Sequence, residues 1–436
     1  MPVAGVLLGD AAKRWAILFA AVVVSFAAMY QAARLYVAWD LGRSSNPAAQ
    51  IRGANLEGNA EAWGRLGEAI AANFDNFQPD RARAFFERSV HLNPRSARLW
   101  MDLAGTYEEQ GNISEAKSAY LQAQKDYPIS ADVAWRFGNF LLRQGQTSEG
   151  LEKIHRAILA DPKLAPLAIS VVWSFEPNVD VLLHRVLPYD RDLYFEALDF
   201  LAAKHQEDAA LQTWQEIVNS PAAKPLRLPS AFPFMDDLIA SDRSADAQRV
   251  WEEALKEAHW PQGESEEDSV VWNGGFEAPI ANGGLGWRFD QEPGYYISID
   301  PQVHHSGEQS LRVDFTGGFN LDFAAVQQFL PVHPRAMYSF RCFIRTRSIS
   351  TESGMRFEIV DPNHHEVNAD TTALTGTNPW TLVSANFTTG ADTHFLNIRL
   401  RRFPSQLFDN KLSGTVWVDD VTLTPSKPNE PAESTP

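Results

Sequence analysis

Pro94, Pro128 and Pro162 stand 34 residues apart, and the residues before each recur in register. Alanine lies twelve positions before the first two prolines (Ala82, Ala116), and Gly150 holds that place before the third. Eight positions before them come Phe86, Tyr120 and Ile154, and five before come Ser89, Ala123 and Ala157. A fixed period of this length marks stacked helical hairpins, each of which leaves an apolar face that only its neighbour can cover. Three or more units are therefore required, and they build an interaction surface rather than a reaction centre.

In the second unit Trp100, Leu103, Ala104, Tyr107, Gly111, Ala116, Tyr120, Ala123 and Pro128 carry the pattern. The third continues it through Phe137, Gly138, Leu141, Gly145, Gly150, Ile154, Ala157 and Pro162. Small residues sit where two helices cross closely, and an aromatic fills the space beside them. Glycine ends the first helix and proline stops the second. The series resembles the tetratricopeptide repeat, which implies a helical solenoid that binds a protein partner. Beyond Pro162 the period blurs: residues 164–189 read as irregular helix, and Ala210-x3-Trp214 and Ala247-x3-Trp251-x2-Ala254 read as second helices. About five hairpins are expected over residues 59–260. Trp63, Trp100, Trp135, Trp214 and Trp251 are packing positions in this reading.

Residues 15–30 are apolar apart from Ser25, follow Lys13-Arg14, and run on to Ala33 before Arg34, Tyr36 and Trp39. Nineteen residues to Ala33 give about 28 Å of helix, close to the thickness of a bilayer core. Arg34 can snorkel, and the two rings can anchor at the interface. The segment reads as a signal anchor over 15–39, with residues 1–14 cytoplasmic and the bulk outside the bacterial cytoplasmic membrane. Cleavage is the alternative, against which Met29, Tyr30 and Gln31 spoil the small-residue pattern of a cleavage site. A linker is expected over 40–58. The net charge of −17 is concentrated in residues 59–268, which argues against a nucleic-acid partner.

After an acidic linker, 261–269, the texture changes to alternation: Leu311/Val313/Phe315, Phe340/Cys342/Ile344, Met355/Phe357/Ile359 and Ile398/Leu400 each alternate with polar residues. Short strands of this kind over 270–425 predict an antiparallel β-sandwich, followed by a disordered tail, 426–436. Cys342, the only cysteine, falls on the apolar side of its strand, so no intrachain disulfide forms.

This region opens with Asn273-Gly274-Gly275-Phe276-Glu277, continues through Gly286-Trp287 and His305-Ser306-Gly307-Glu308, and closes with Trp417-Val418-Asp419-Asp420-Val421. It resembles the jelly-roll carbohydrate-binding modules of the CenC type, within the wider galactose-binding-like class. The resemblance implies a structural Ca²⁺ held by Glu277, one of Asp419 or Asp420 (Asp419 favoured), a carbonyl near Gly275 and the Ser306–Glu308 loop. The alternative is that the two aspartates face solvent and cap a turn. Sugar recognition needs exposed rings and planar polar groups. Candidates are Trp287, Tyr295, Tyr296, Phe319 and Phe323, with Arg399 and Arg401. These arginines would share an outer face with Arg341, Phe343, Arg345, Arg356 and Glu358, on which cross-strand Arg–Glu pairing is the competing role.

Enzymatic readings find little support. The carboxylates Glu264, Glu266, Glu267 and Asp268 form one linker charge run rather than a spaced catalytic pair. His304-His305 and His364-His365 are adjacent pairs without a third ligand at metal-binding spacing. The expected molecule is a multidomain, α-then-β protein that is not an enzyme. Its repeats would hold a protein while its β-module contacts polysaccharide during envelope or exopolysaccharide assembly or export. The alternatives are a purely protein-binding component of a secretion or assembly complex and, more remotely, a partner of a glycoside hydrolase.

Overall fold

The computed structural model describes residues 11–44, 46–72, 78–220, 225–261, 268–408 and 410–426. The body of the acidic linker (262–267), the tail from 427 and the first ten residues lie outside the described residues. The chain divides into two compact units, Met1–Pro188 and Tyr189–Pro436.

The first unit begins with α1 (Ala11–Gly42). Its Lys13–Gly42 stretch is long and apolar enough to cross a membrane, and the apolar window is wholly exposed. Residues expected as linker instead form α2 (Pro47–Glu57). The local chemistry explains it: Asn46 caps the first turn through Ala48 N–H (2.9 Å), Pro47 opens the helix, and Gly58 closes it in the left-handed region at φ +70°. Arg34 Nε donates to the Leu56 carbonyl (2.7 Å) and ties α2 back onto α1.

Three hairpins follow: α3 (Ala60–Ala71) with α4 (Pro79–Leu92), α5 (Ala97–Glu109) with α6 (Ile113–Asp126), and α7 (Ala131–Arg143) with α8 (Thr147–Ala160). Their boundaries follow from the repeated signals. Gly111 and Gly145 sit just past the first helices at φ +75° and +72°, where their N–H groups close the helix ends, and each second helix stops before its proline. Ala116, Ala123, Tyr120, Phe137 and Phe140 are buried together, with Tyr120 stacked on Phe137 at 5.4 Å. Serine replaces alanine at position 89 because its hydroxyl donates to the Ala60 carbonyl (2.6 Å) across the hairpin. The period fades into α9 (Ala165–Phe175), the single turn α10 (Val179–Val181) and a π-helical turn over Leu182–Val186.

The second unit starts with two more hairpins, α11 (Arg191–Ala203) with α12 (Glu207–Asn219) and α13 (Phe232–Ala240) with α14 (Ser244–Glu257). Here the helix-ending glycine is replaced by His205 (φ +52°) and Asp242 (φ +60°), with the same closing hydrogen bonds. Ten strands follow: β1 (Arg288–Phe289), β2 (Tyr295–Asp300), β3 (Ser310–Thr316), β4 (Phe323–Pro331), β5 (Met337–Ile349), β6 (Arg356–Val360), β7 (Asn368–Asp370), β8 (Gly376–Thr388), β9 (Phe395–Arg402) and β10 (Ser413–Pro425). They form two five-stranded antiparallel sheets, β1-β4-β9-β6-β7 and β2-β3-β10-β5-β8. Between the sheets lie the alternating apolar residues, Cys342 among them.

The last hairpin is fastened to the sandwich. Arg288 on β1 pairs with Asp236 on α13 (2.5 Å), and Asn363 Nδ2 donates to Ile239 O (3.0 Å) and Asp242 Oδ1 (3.1 Å). Trp251 stands edge-on to Trp272 at 5.6 Å. At Gly283 a Cβ would reach 2.3 Å from the Phe232 ring, so only glycine permits this approach. Helices read as the end of the solenoid thus pack as part of the β-unit.

Candidate functional site

Three features of the structure offer recognition chemistry. The first is a groove of about 770 Å³ on the inner helices α3, α5 and α7. Its floor is charged. Arg98 pairs with Glu61 (3.1 Å) and Glu68, Arg136 with Asp102 (3.3 Å), and Arg143 with both oxygens of Glu108 (2.8 and 2.9 Å). Burial raises the Asp102 carboxyl above its ordinary range despite Arg136, and its Oδ2 is buried without a hydrogen-bond partner. Burial also pushes the Tyr120 phenol up to about 12, so this ring acts as packing rather than as an acid or base. The lining offers hydrogen bonds and charge but no nucleophile–base pair. Of the repeat signature, Ala116, Tyr120, Ala123 and Gly138 are buried at the helix crossings, while Trp100 is half-buried and donates its indole N–H to Pro94 O (2.8 Å). Tyr107 O–H bonds Glu87 (3.0 Å), and Pro128 and Pro162 mark helix ends.

The second feature is the carboxylate cluster at the seam of the first and last segments of the sandwich. Glu277 Oε1 accepts from the N–H groups of Glu308 (2.8 Å) and Gln309 (3.2 Å). Asp419 Oδ2 accepts from His305 N–H (2.7 Å) and Ser306 N–H (3.2 Å). Gly307 must be glycine, because a Cβ there would lie 2.0 Å from Glu277 Oε1 and its φ is +61°. Gly275 runs between the two carboxylates: a Cβ on it would stand 3.7 Å from Glu277 Cγ and 4.0 Å from Asp419 Oδ1. Asp420 turns elsewhere, its oxygens bonding His305 Nδ1 and Ser306 Oγ, each at 2.5 Å. Burial pushes the Asp419 carboxyl up to about 6 in spite of its N–H donors. A buried carboxylate short of positive charge, facing a second one across a glycine, is a donor set that fits a hard cation.

The third feature is the pair of outer faces of the sandwich. Gln327, Asn397, Arg399, Arg401, Glu358 and Arg356 alternate with core residues on β4, β9 and β6, so they share the outer face of the first sheet. Glu358 draws in both Arg399 and Arg401, and Arg401 also bonds Asp322. Asn397 Nδ2 donates to Gln327 Oε1 (2.9 Å). Phe403 lies under Arg401 (4.3 Å) and Arg356 (5.5 Å), and Phe329 under Arg288 (4.9 Å). Several polar atoms here are buried without a hydrogen-bond partner: Asn397 Oδ1 and the Nε atoms of Arg356 and Arg401. Arg341, Phe343 and Arg345, expected beside these residues, lie on the other sheet. There Arg312, Arg345 and Arg347 stack on Trp417 at 5.2–5.6 Å, and Trp417 Nε1 donates to Asp300 (2.8 Å).

The candidate aromatics separate sharply. Trp287 is wholly buried against Phe276, its indole N–H donating to Asn273 O (3.0 Å), and Tyr295 and Phe323 pack edge-to-face in the core. These three rings cannot stack on a sugar. Tyr296 is 68% exposed on the edge strand β2, and Phe319 is half-exposed. Gln328 and Arg402 were not singled out from the sequence. Gln328 is buried and bridges the Trp272 and Leu285 carbonyls, and Arg402 is buried against Asn320 Oδ1 and the Leu321 and Asn410 carbonyls. Both break the alternation rule by being polar on the core side, the one trace they leave in the sequence. Of the histidine pairs, His305 stacks on Phe343 (3.6 Å) and His364 N–H donates to Asp361 (2.9 Å).

Residues 73–134 match the tetratricopeptide-repeat family model. No curated protein matches the chain. Among solved structures, it is similar to YrrB, a TPR protein with an unusual peptide-binding site (14% identity, 49% of this chain and 93% of that one, TM-score 0.25). It is also similar to the CBM22-1 xylan-binding domain of Paenibacillus barcinonensis Xyn10C (15% identity, 36% and 93%, TM-score 0.26) and to a CBM4 module (15%, 36% and 99%, TM-score 0.27). The tetratricopeptide-repeat match falls within the helical part, and the β part is similar to solved carbohydrate-binding modules. At such identities and scores, the case for any ligand rests on this chain's own residues.

Proposed function

We propose that this chain is a membrane-anchored, non-catalytic adaptor that joins a protein partner to a polysaccharide in assembly or export at the bacterial cell envelope. In this reading α1 is a single-pass anchor, with the N-terminus inside and the bulk outside. The charged groove of α3, α5 and α7 takes the protein partner, and the outer face of β4, β9 and β6 takes the glycan. One observation carries the sugar half: Gln327, Asn397, Arg399, Arg401 and Glu358 share one outer face, set beside Phe403 and Phe329, and offer donors, acceptors and rings together. Hydroxyl groups of a sugar, each able to donate and accept, are natural partners for such planar polar groups. Two proteins' names give context: one solved neighbour is a xylan-binding domain and another a TPR protein with a peptide-binding site.

Glu277 and Asp419 are the carboxylates proposed to hold a structural Ca²⁺. When bound, the ion would supply the positive charge that the buried Asp419 lacks and fix the 305–309 loop; no chemistry is routed through it.

The test is binding of the purified full-length chain to a broad glycan array, with Arg399→Ala and Asn397→Ala beside it. Glycan capture that both variants lose supports the reading, and no capture across the array contradicts its sugar half. A second reading, in which the sandwich binds only protein, draws on the other sheet: Arg341 and Arg345 have no carboxylate partner among the described residues and would suit an acidic protein surface. It predicts that Arg345→Glu disrupts a complex while Arg399→Ala does not.

A further inference from the structure

The hairpins of the second unit carry His205 and Asp242 in place of the helix-ending glycine, and the adaptor reading leaves His205 without a role. Glycine closes α5 and α7, at Gly111 and Gly145, whereas His205 closes α11 in the same left-handed conformation. His205 thus holds its imidazole on a backbone conformation that favours glycine. Its Nδ1 lies 3.1 Å from Asp237 Oδ1 on α13. Glu207, the first residue of α12, completes the group, and one ligand atom from each of the three residues lies within 4.8 Å of the others.

Two further facts bear on this group. The Asp237 side chain is only 8% exposed, and its Oδ2 is buried with no hydrogen-bond partner. Glu207 receives a hydrogen bond from Ser241 Oγ (3.0 Å), but among the described residues no lysine or arginine pairs with Glu207 or Asp237. The nearby Arg243 is spent on Asp208 and Asp246 (2.7 Å each). Two carboxylates and an imidazole converge, one carboxylate is nearly buried, and no protein cation answers them.

We propose that His205, Glu207 and Asp237 form a site for a borderline divalent cation, Zn²⁺, that staples the α11–α12 hairpin to α13. One imidazole nitrogen with two carboxylate oxygens selects zinc over the all-oxygen preference of Ca²⁺ and Mg²⁺. His205 is 75% exposed, which leaves an entry path and a coordination position for water. The site is separate from the Glu277–Asp419 cluster.

The experiment is Zn²⁺ titration of the metal-stripped full-length chain by calorimetry in the presence of millimolar Ca²⁺, paired with thermal melts. About one equivalent should bind and raise the melting temperature. His205→Gly should weaken that equivalent at least tenfold and remove the Zn²⁺-dependent rise. Asp237→Asn should likewise lose the equivalent. Absence of Zn²⁺ binding, or binding that survives His205→Gly unchanged, overturns the proposal.

Discussion

Asp419 shows how one carboxylate can couple pH to ion binding. Its folded pKa is about 6, above the ordinary unfolded value, so the folded chain holds this proton more tightly. The group therefore favours folding increasingly as pH falls from about 6 toward about 4, and opposes it above 6. A cation held by Glu277 and Asp419, as proposed, would compete with that proton. Calcium should thus raise the melting temperature more at pH 7 than at pH 5, and the difference should vanish in Asp419→Asn; equal Ca²⁺ effects at both pH values would contradict the site. Arg402 is a second residue-level case. Its buried guanidinium satisfies carbonyls on two loops rather than a carboxylate, so Arg402→Leu should cost about 3 kcal/mol, read from the denaturant midpoint. Sequence phase announced neither residue's surroundings. Alternation tells which side of its own strand a residue takes, and that placed Cys342, Ile398 and Leu400 correctly in the core. It does not tell which sheet a strand joins. Arg341 and Arg399 look equivalent in sequence, yet non-local strand order puts them on opposite faces.

Among the elements, the hairpins were the most legible, because their spacing is local: helix-ending glycine, crossing alanine and stopping proline each act within a few residues. In the third hairpin the helices cross closely. A Cβ at Gly138 would lie 2.9 Å from Ile154 Cδ1 and 3.1 Å from the Gly150 carbonyl. Gly138→Val should therefore destabilise the protein by about 1–3 kcal/mol through overpacking, measured by chemical denaturation. The α2 helix was hidden in a stretch read as linker, although its Asn46-Pro47 start and Gly58 stop were present; without an apolar period they did not suffice to announce it. The aromatic candidates failed for a related reason. Trp287, Tyr295 and Phe323 lie next to turns, where local reading expects exposure, but the sandwich folds over them and burial of large rings prevails.

For the whole molecule, the compact units cut across the boundary that texture suggested. The sequence changes from helix to strand near residue 270, while the unit begins at Tyr189. Arg288–Asp236 and the Asn363 contacts explain why: α13 is part of the sandwich's surroundings. Asn363→Ala combined with Asp236→Ala should loosen this attachment, separating one unfolding transition of the second unit into two in calorimetry. In the proposed function the outer face of β4, β9 and β6 binds a glycan. Its most direct test is the affinity of the full-length chain for an array-selected polysaccharide, measured by calorimetry for wild type, Arg399→Ala and Arg345→Ala. At least a tenfold loss is expected for Arg399→Ala and little change for Arg345→Ala; the reverse order, or equal affinities in all three, would contradict glycan binding at this face.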